Sequence, residues 1–324
     1  MTQIVLIGVG AGAAAALLFG SVTSGIGLSV ILFYLAPLPI MIVALGWSHW
    51  AGLTAAVAAA AMLGGAFGIL FFGTFLASVG APAWWLGYLA LLGRPVANGG
   101  APHMEWYPPG RLVLWAAILG AAVVVGALAM FGGDEATIRH GLKGALDQVL
   151  RLQTGSAADA PLRVPGIEDA DRVVEMLVSV LPPTAAVIAA ITLTGNLWLA
   201  SLVVRLSGRL TRPWPDLAML AFPPFATAIY GALLAGAFLP DLAGLVASLF
   251  AATLTVAFAL IGFAVIHTAT RHMRGRAVVL SGAYGCVILL IWPVFVVTLI
   301  GVAETLFGLR VRSSRRGPPA ARST

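Results

Sequence analysis

Residues 51–92 read AGLTAAVAAAAMLGGAFGILFFGTFLASVGAPAWWLGYLALL and contain no charged residue. As one helix they would measure about 63 Å, twice the hydrocarbon core of a bilayer, so we expect a membrane hairpin. A turn near Gly73 and Thr74, with Pro82 kinking the second arm, gives two spans of similar length. A break at residues 80–82 would instead give one long helix and a short re-entrant piece. We favour the first arrangement.

The composition of the whole chain supports a membrane location. Of its 324 residues, 60% are hydrophobic and 9% are charged, whereas soluble domains carry about 25% charged residues. The mean hydropathy is +1.01. These values exclude an ordinary soluble enzyme and predict an all-α, polytopic transmembrane helical bundle.

Further uncharged runs of about 20 residues mark the other spans. Together with the hairpin they predict nine spans, with eight as the alternative if the hairpin contains one long helix. The N-terminal run lacks a Lys or Arg before its apolar core, so we interpret it as a span, the alternative being a cleaved signal peptide. The runs are residues 4–20, 25–45, 112–131, 184–204, 217–239, 242–266 and 278–302.

Residues 132–183 form the one substantial extramembrane insertion, with five Lys or Arg and eight Asp or Glu. Asp134 caps a predicted amphipathic helix whose apolar residues recur every four positions from Ile138 to Leu150. After a linker at residues 155–166, a second predicted amphipathic helix begins in an acidic run at Glu168 and ends at Pro182. Both could pack at the interface, cover a cavity or dock a partner. The chain thus divides into an N-terminal bundle, 1–131, the insertion, 132–183, a C-terminal bundle, 184–308, and a basic disordered tail, 309–324.

Arginines in the loops predict the orientation of the bundle. Two clusters, two spans apart, belong on the cytoplasmic side with Arg94, which puts the acidic insertion outside and the N-terminus inside. The final span joins a basic loop to the basic tail. Either the tail is outside, or the segment around Trp292 and Pro293 forms a broken hairpin. The two clusters are Arg205, Arg209 and Arg212, and Arg271, Arg274 and Arg276.

Five arginines of the tail account for most of the formal net charge of +6. Such a tail favours anionic lipid headgroups over nucleic acid, so we expect no nucleic-acid partner. Arg205, Arg209 and Arg212 share one helical face and are predicted to bind lipid headgroups. The alternative is a clamp for a phosphate or carboxylate.

No catalytic, nucleotide-binding or metal-binding motif is present, which excludes ATPase and dehydrogenase functions. His267 and His272 are poorly spaced for a metal, and a single cysteine, Cys286, forms no disulfide within the chain. We therefore expect no cofactor, no metal and no enzymatic activity.

The predicted spans contain no ionisable residue of the kind that ion-coupled pumps use. Neutral polar groups remain, and of these Asn196, Tyr230 and Tyr284 are the candidate ligand-binding residues. Hydrogen bonds between helices are their commoner use. Trp84 and Trp85 fit an interfacial aromatic belt, with a ligand pocket as the alternative.

Several short motifs together resemble the YybS-like family, a group of bacterial inner-membrane proteins classed as a domain of unknown function. They include Leu35-Ala36-Pro37-Leu38-Pro39 followed by His49 and Gly52, Leu181-Pro182, Asn196-Leu197 before Arg205 and Arg209, Pro213 before Phe222-Pro223, residues 261–267 (IGFAVIH), and Gly308-Leu309-Arg310. That family is remotely similar to the substrate-binding membrane subunits of energy-coupling-factor vitamin transporters, which lack their own ATPase. The resemblance implies a multi-pass inner-membrane protein and assigns no functional residue.

Two functions follow as expectations. The first is a small-molecule permease or substrate-binding transport component that depends on a partner membrane subunit or ATPase. The alternative is a non-catalytic membrane scaffold that recruits cell-envelope proteins. An intramembrane enzyme acting on lipid is a third and weaker hypothesis, because it needs a base or nucleophile at depth.

Overall fold

The structure is a computed structural model that describes residues 2–25, 27–97, 103–155, 169–216 and 220–310. Most of the predicted linker, Glu168 of the predicted acidic run, and the tail from residue 311 onward lie outside the described residues.

Within these ranges the chain is almost entirely helical, which confirms the predicted all-α bundle. Seven stretches are long and apolar enough to cross a membrane: α1 with the short 3-10 turn that follows it, α2 with α3, α4, α5 with α6, α7, α9 and α11. The helices are α1 (Thr2–Gly20), α2 (Gly27–Tyr34), α3 (Pro37–Gly46), α4 (His49–Phe67), α5 (Ile69–Phe75), α6 (Ala81–Ala90), α7 (Pro109–Ala129), α8 (Glu135–Thr154), α9 (Ala170–Leu206), α10 (Phe225–Gly236), α11 (Asp241–Ala269), α12 (Arg276–Leu290) and α13 (Pro293–Phe307).

The core of the first half of the chain, α1 to α6, is built on α4, whose small residues repeat at helical spacing. Ala51, Ala55 and Ala59 are completely buried. Gly8 and Gly12 of α1 lie directly against this helix, since a Cβ atom at Gly12 would be 2.7 Å from the carbonyl oxygen of Ala55. Small residues at these positions let the two backbones approach closely, as the spacing of the two glycines predicts.

The predicted hairpin forms two spans, but its turn lies at Gly68 rather than at Gly73 and Thr74. Gly68 has a φ of +98°, a conformation that only glycine adopts without strain. A Cβ atom at Gly68 would have no neighbour within 4 Å, whereas one at Gly64 would lie 2.8 Å from the side chain of Phe72. A π-helical stretch, Leu76–Gly80, connects α5 to α6. The turn residue was missed because several glycines in this run are equally plausible by sequence.

Two of the nine predicted spans, 217–239 and 278–302, are not continuous helices. Residues 220–224 precede α10 as irregular backbone, and α10 has only 12 residues. The run at 278–302 is broken between α12 and α13 at Ile291, whose φ is +62°, so the break proposed around Trp292 and Pro293 is the one observed. Prolines explain both interruptions, because they remove backbone donors and clash with the preceding turn.

The insertion differs from the prediction in one respect. Its first helix, α8, is present and is capped by Asp134, whose side chain accepts a hydrogen bond from the backbone of Thr137 at 2.9 Å. Its second helix is continuous with the next span as α9, which runs through Pro182 and Pro183. Neighbouring helices support α9 there, a setting in which membrane helices tolerate proline. The predicted domain boundary at residue 183 therefore falls inside a helix.

A two-stranded antiparallel hairpin, which the sequence patterns did not predict, lies between α6 and α7. Its strands are β1 (Gly93–Val96) and β2 (His103–Trp106). An ion pair of 2.7 Å joins Arg94 to Glu105 across it. The hairpin and the loops after α9 and α11 meet at one end of the bundle, as the arginine pattern predicts. We call this the basic end; it contains Arg94, Arg205, Arg209, Arg212, Arg271, Arg274 and Arg276.

Candidate ligand-binding cavity

A cavity of about 580 Å³ opens between α7, α9, α11 and α12 at the basic end. The loop after α9 covers part of it. Prolines at positions 213 and 215 keep this loop out of helical conformation, so its side chains turn back over the helix ends. The cavity lies within the volume range typical of ligand sites.

The rim of this cavity is positively charged. Arg212, Arg271 and Arg276 line it, together with the carboxylate of Asp216. Arg271 lies 3.7 Å from Asp216, which is a long and half-exposed ion pair. His267 also lines the rim. Counting the histidine as neutral, three guanidinium groups face one carboxylate, so an anion is the complementary ligand.

Arg212 is the most buried arginine of the rim, with 9% of its surface exposed. Its guanidinium donates to the carbonyl oxygens of Ala90 at 3.0 Å and of Tyr107 at 3.3 Å, while its Nε atom has no hydrogen-bond partner. Burial lowers the pKa of this guanidinium, although arginine stays charged in proteins. Among the residues that the structure describes, two carbonyl dipoles and no carboxylate compensate this charge.

Helix α12 forms one wall of the cavity through Tyr284. Its ring stacks on Phe263 of α11 with 4.4 Å between centroids, and its hydroxyl lies 3.0 Å from the Nε2 atom of His267. No described residue of α12 is buried. This wall is therefore attached to the bundle mainly by its aromatic contacts.

Below the rim, the cavity adjoins an apolar crevice of about 190 Å³ between α7, α9 and α11. The two spaces share Val113, Thr194, Gly195 and Leu260 as lining residues. The crevice continues toward the opposite end of the bundle as far as Ala190 and Thr253. A charged mouth thus leads into a narrow apolar space.

The three predicted ligand-binding residues do not meet in one site, and their role stays a prediction. Tyr284 lines the cavity. Asn196 points instead toward the first half, where its amide donates to the carbonyl of Tyr34 at 2.8 Å. Tyr230 is buried between α10 and α11 and shares a hydrogen bond of 2.9 Å with Thr255.

The three arginines predicted to bind lipid headgroups likewise take separate positions. Arg205 lies over the ring of Trp214 at 4.8 Å, and Arg209 lies over Trp47 at 4.5 Å. Arg212 is in the cavity rim. They do not form a common clamp, because the helix ends at Leu206 and the face that they would share is lost.

Trp84 and Trp85 line a separate groove of about 830 Å³ between α5, α6 and α7. Both indole N–H groups are buried without a hydrogen-bond partner. The predicted alternative of a pocket at these residues thus has a cavity to match it, although no charged residue lines that groove.

One polar centre is not apparent from the sequence patterns. Glu304 of α13 forms a buried ion pair of 2.8 Å with Arg310, and their side chains are 8% and 13% exposed. The backbone N–H of Arg310 also donates to Glu304, and its guanidinium donates to the carbonyl of Leu220 at 2.6 Å. The pair thus holds the irregular segment before α10, at a residue that also lines the cavity.

This ion pair lies toward the basic end of the bundle. Gly262 of α11 packs against the carbonyl oxygen of Val297, and Gly301 of α13 packs against that of Phe258. The hydroxyl of Thr298 donates to the carbonyl oxygen of Thr255 at 3.0 Å, so α13 runs parallel to α11. One turn beyond Gly301, Glu304 is level with the last two turns of α11. Glu304 lies two residues beyond the predicted span 278–302, so it does not contradict the expectation that this span is free of charge. The run from Val302 to Phe307, with a single acidic residue among apolar ones before the Gly308 cap, was the available signal.

Comparison with known proteins identifies the family of the chain. No curated protein and no solved structure matches the chain. A family model described as "Predicted membrane protein (DUF2232)" matches residues 13–305, which is consistent with the resemblance to the YybS-like family. The chain therefore belongs to the DUF2232 family of multi-pass membrane proteins.

Proposed function

We propose that this protein is a substrate-binding membrane component, without catalytic activity of its own, that binds an anionic small molecule in the cavity at the basic end. The observation that carries the proposal is the cavity itself, with arginines at its mouth and apolar residues below them. Sites of this size with few, convergent polar groups are the usual places for small ligands.

The charge balance of the rim favours an anion over a neutral ligand. Among the described residues, Arg212 and Arg276 make no ion pair, and Arg271 has only the distant carboxylate of Asp216. A buried guanidinium that faces only carbonyl oxygens gains most from a ligand that carries a negative charge. A phosphate or carboxylate satisfies this requirement with two parallel hydrogen bonds.

Transport would require a partner. The sequence contains no nucleotide-binding loop, so energy for uptake would come from a separate membrane subunit or ATPase. We place the protein in the inner membrane of a bacterial cell, with its basic end toward the cytoplasm, since clustered arginines favour that side. Annular membrane lipids would be its other partners.

The test compares charge removal inside and beside the cavity. Arg271→Gln and Arg276→Gln each remove a rim charge, whereas Arg274→Gln removes an exposed charge between α11 and α12 that does not line the cavity. We expect native mass spectrometry of the protein, gently solubilised from its own host, to show a bound anionic molecule. The two rim variants should lose it, and the control should keep it.

Uptake of the bound molecule by cells tests the proposed function in transport. A strain that lacks the protein should fail to accumulate the molecule identified in this way, and the Arg274→Gln variant should restore uptake while the rim variants do not. Equal ligand retention by all three variants would contradict the proposal, as would normal uptake in the deletion strain.

A scaffold function is the second candidate, and the exposed surface of α8 favours it. Ile138 is the only buried residue of this helix. Near its other end, Val149 is 50% exposed and Leu152 is 78% exposed. A photocrosslinker at position 152 should then trap one envelope protein in a fixed ratio, and the same crosslinker at Lys143 on the opposite face of α8 should trap less of it. Crosslinks to lipid alone would exclude this role.

A further inference from the structure

The cavity and the adjoining crevice together form one elongated space that suits an amphipathic ligand. Thr253, at the far end of the crevice, precedes the rim residue His267 by 14 positions in α11, which corresponds to about 21 Å along a helix. One leaflet of the hydrocarbon core is about 15 Å thick. The combined space is therefore long enough for a hydrocarbon chain that extends from a headgroup at the rim.

The two parts of this space differ in chemistry. The rim carries Arg212, Arg271 and Arg276. The described residues that line the crevice are small or aliphatic, such as Ala117 and Ala257, and the hydroxyls of Thr194 and Thr253 are the only polar side chains among them. The hydroxyl of Thr194 already donates to the carbonyl of Ala190 at 2.8 Å. A small, fully polar anion would leave the crevice empty, while an apolar chain fills it.

The cavity also opens at membrane depth. Trp198 lines it, belongs to a membrane-spanning helix and is 47% exposed. Gly195, one turn deeper in the same helix, is exposed as well and lines both spaces. Trp198 lies about 12 Å before the end of α9. The outer surface of the bundle at this height is covered by lipid chains, so a ligand can reach the crevice sideways, past α12.

We infer that the cavity and crevice together bind a single anionic lipid, with its phosphate at the arginine rim and one hydrocarbon chain in the crevice, drawn from the leaflet at the basic end. This inference rests on the proposed function, because it specifies the class of anion that the cavity takes. The arginine forks recognise the phosphate, and the buried chain adds apolar contact that a headgroup alone does not offer.

Two glycine variants test the role of the crevice. Gly195→Leu places a side chain in the crevice, and a Cβ atom at this position has no neighbour within 4 Å, so the helix can accept it. Gly231→Leu is the matched control, because Gly231 is also an exposed helical glycine with no neighbour within 4 Å and lies on α10, outside the cavity. Both substitutions improve helix propensity.

The measurement is native mass spectrometry of delipidated protein after incubation with phosphatidylglycerol, phosphatidylcholine or glycerol 3-phosphate. We expect wild type and Gly231→Leu to retain one phosphatidylglycerol at collision energies that strip the other lipids, and Gly195→Leu to lose it. Arg276→Gln, which leaves the crevice intact, should bind phosphatidylglycerol about tenfold more weakly, the usual effect of losing one charge-assisted hydrogen bond.

Each other outcome identifies what fails. Equal retention of phosphatidylglycerol by the two glycine variants would overturn the inference, and so would equal retention of phosphatidylcholine by wild type. Binding of glycerol 3-phosphate as tight as that of phosphatidylglycerol would also overturn it, while leaving the proposed function in place. If none of the three probes binds and no anion copurifies from the host, both the inference and the proposed function are wrong.

Discussion

The packing around α4, in the first half of the chain, differs from the packing of α10 to α13, in the second half. Around α4, alanine and glycine let helices pack backbone against backbone, and the first charged residue of the chain is Arg94. In the second half, helices are short or interrupted, the backbone at residues 220–224 is irregular, and an ion pair is buried. The cavity lies on the side of this second half, where broken helices leave space and polar groups.

This difference indicates that the two halves have different roles, the first as a closely packed support and the second as the part that binds the ligand. The first half has few polar groups that a ligand could use, and its close helix contacts resist deformation. The second half contains buried polar groups that need specific hydrogen-bond partners. One is the carbonyl of Leu220, which accepts a hydrogen bond from Arg310, and Leu220 also lines the cavity. Changes in the two halves should therefore have different consequences.

The largest expected effect is from Glu304→Ala in the second half. It leaves Arg310 buried without its carboxylate, a change that costs about 3–5 kcal/mol of folding free energy. Thermal unfolding in detergent should show a strongly lowered Tm. The matched control is Glu105→Ala, which breaks the exposed pair with Arg94 and should cost less than about 1 kcal/mol. Similar losses in both variants would show that the Glu304 pair is not buried in the membrane protein.

In the first half, the critical change is steric. Gly12→Leu brings a side chain against the backbone of Ala55 and should destabilise the protein by about 1–3 kcal/mol or more. Gly10→Leu on the same helix meets no atom within 4 Å, so it should leave the unfolding transition nearly unchanged. If the two variants unfold together, α1 does not pack against α4 as described.

A smaller pair of effects separates stability from binding. Asn196→Ala removes a hydrogen bond to Tyr34 that links α9 to α2, and should lower stability by about 1 kcal/mol without changing lipid retention. Tyr284→Ala removes part of the cavity wall. It should reduce lipid retention and leave the unfolding temperature nearly unchanged. Loss of ligand in the Asn196 variant at normal stability would restore its predicted role in binding.

Much of this architecture follows from sequence. Length and hydropathy determine the apolar helices, and the arginine pattern groups the loops of the basic end, because both depend on solvent partition along the chain. Gly8 and Gly12 identify the α1–α4 contact for the same local reason.

The remaining features depend on contacts distant in sequence. Gly68 and Gly73 look equivalent until φ is known. The partner of Glu304 could not be recognised, because the buried position of Arg310 results from its contact with Leu220, 90 residues away. Arg212 likewise enters the rim through carbonyl groups of Ala90 and Tyr107. The cavity was therefore not predictable, although Tyr284 and Arg212 were among the candidates.

The smallest expected effect is confined to α8. The hydrogen bonds from Thr137 lower the pKa of the Asp134 carboxyl below its ordinary value of 3.8, so its ionised form stabilises the helix cap. That contribution is present above the unfolded pKa and is lost as pH falls through the lower, folded pKa. Asp134→Ala should speed amide exchange in the first turn of α8 at pH 7 and change little once the wild-type carboxyl is protonated. A variant that exchanges at the wild-type rate at pH 7 would contradict the cap.

The most direct test of the central claim is hydrogen–deuterium exchange of the protein in nanodiscs, with phosphatidylglycerol compared with phosphatidylcholine alone. The anionic lipid should slow exchange in α12, in residues 194–201 and in the loop that contains Arg212, and leave α1 to α6 unchanged. Protection spread evenly over both halves, or confined to α1 to α6, would contradict the assignment of ligand binding to the second half.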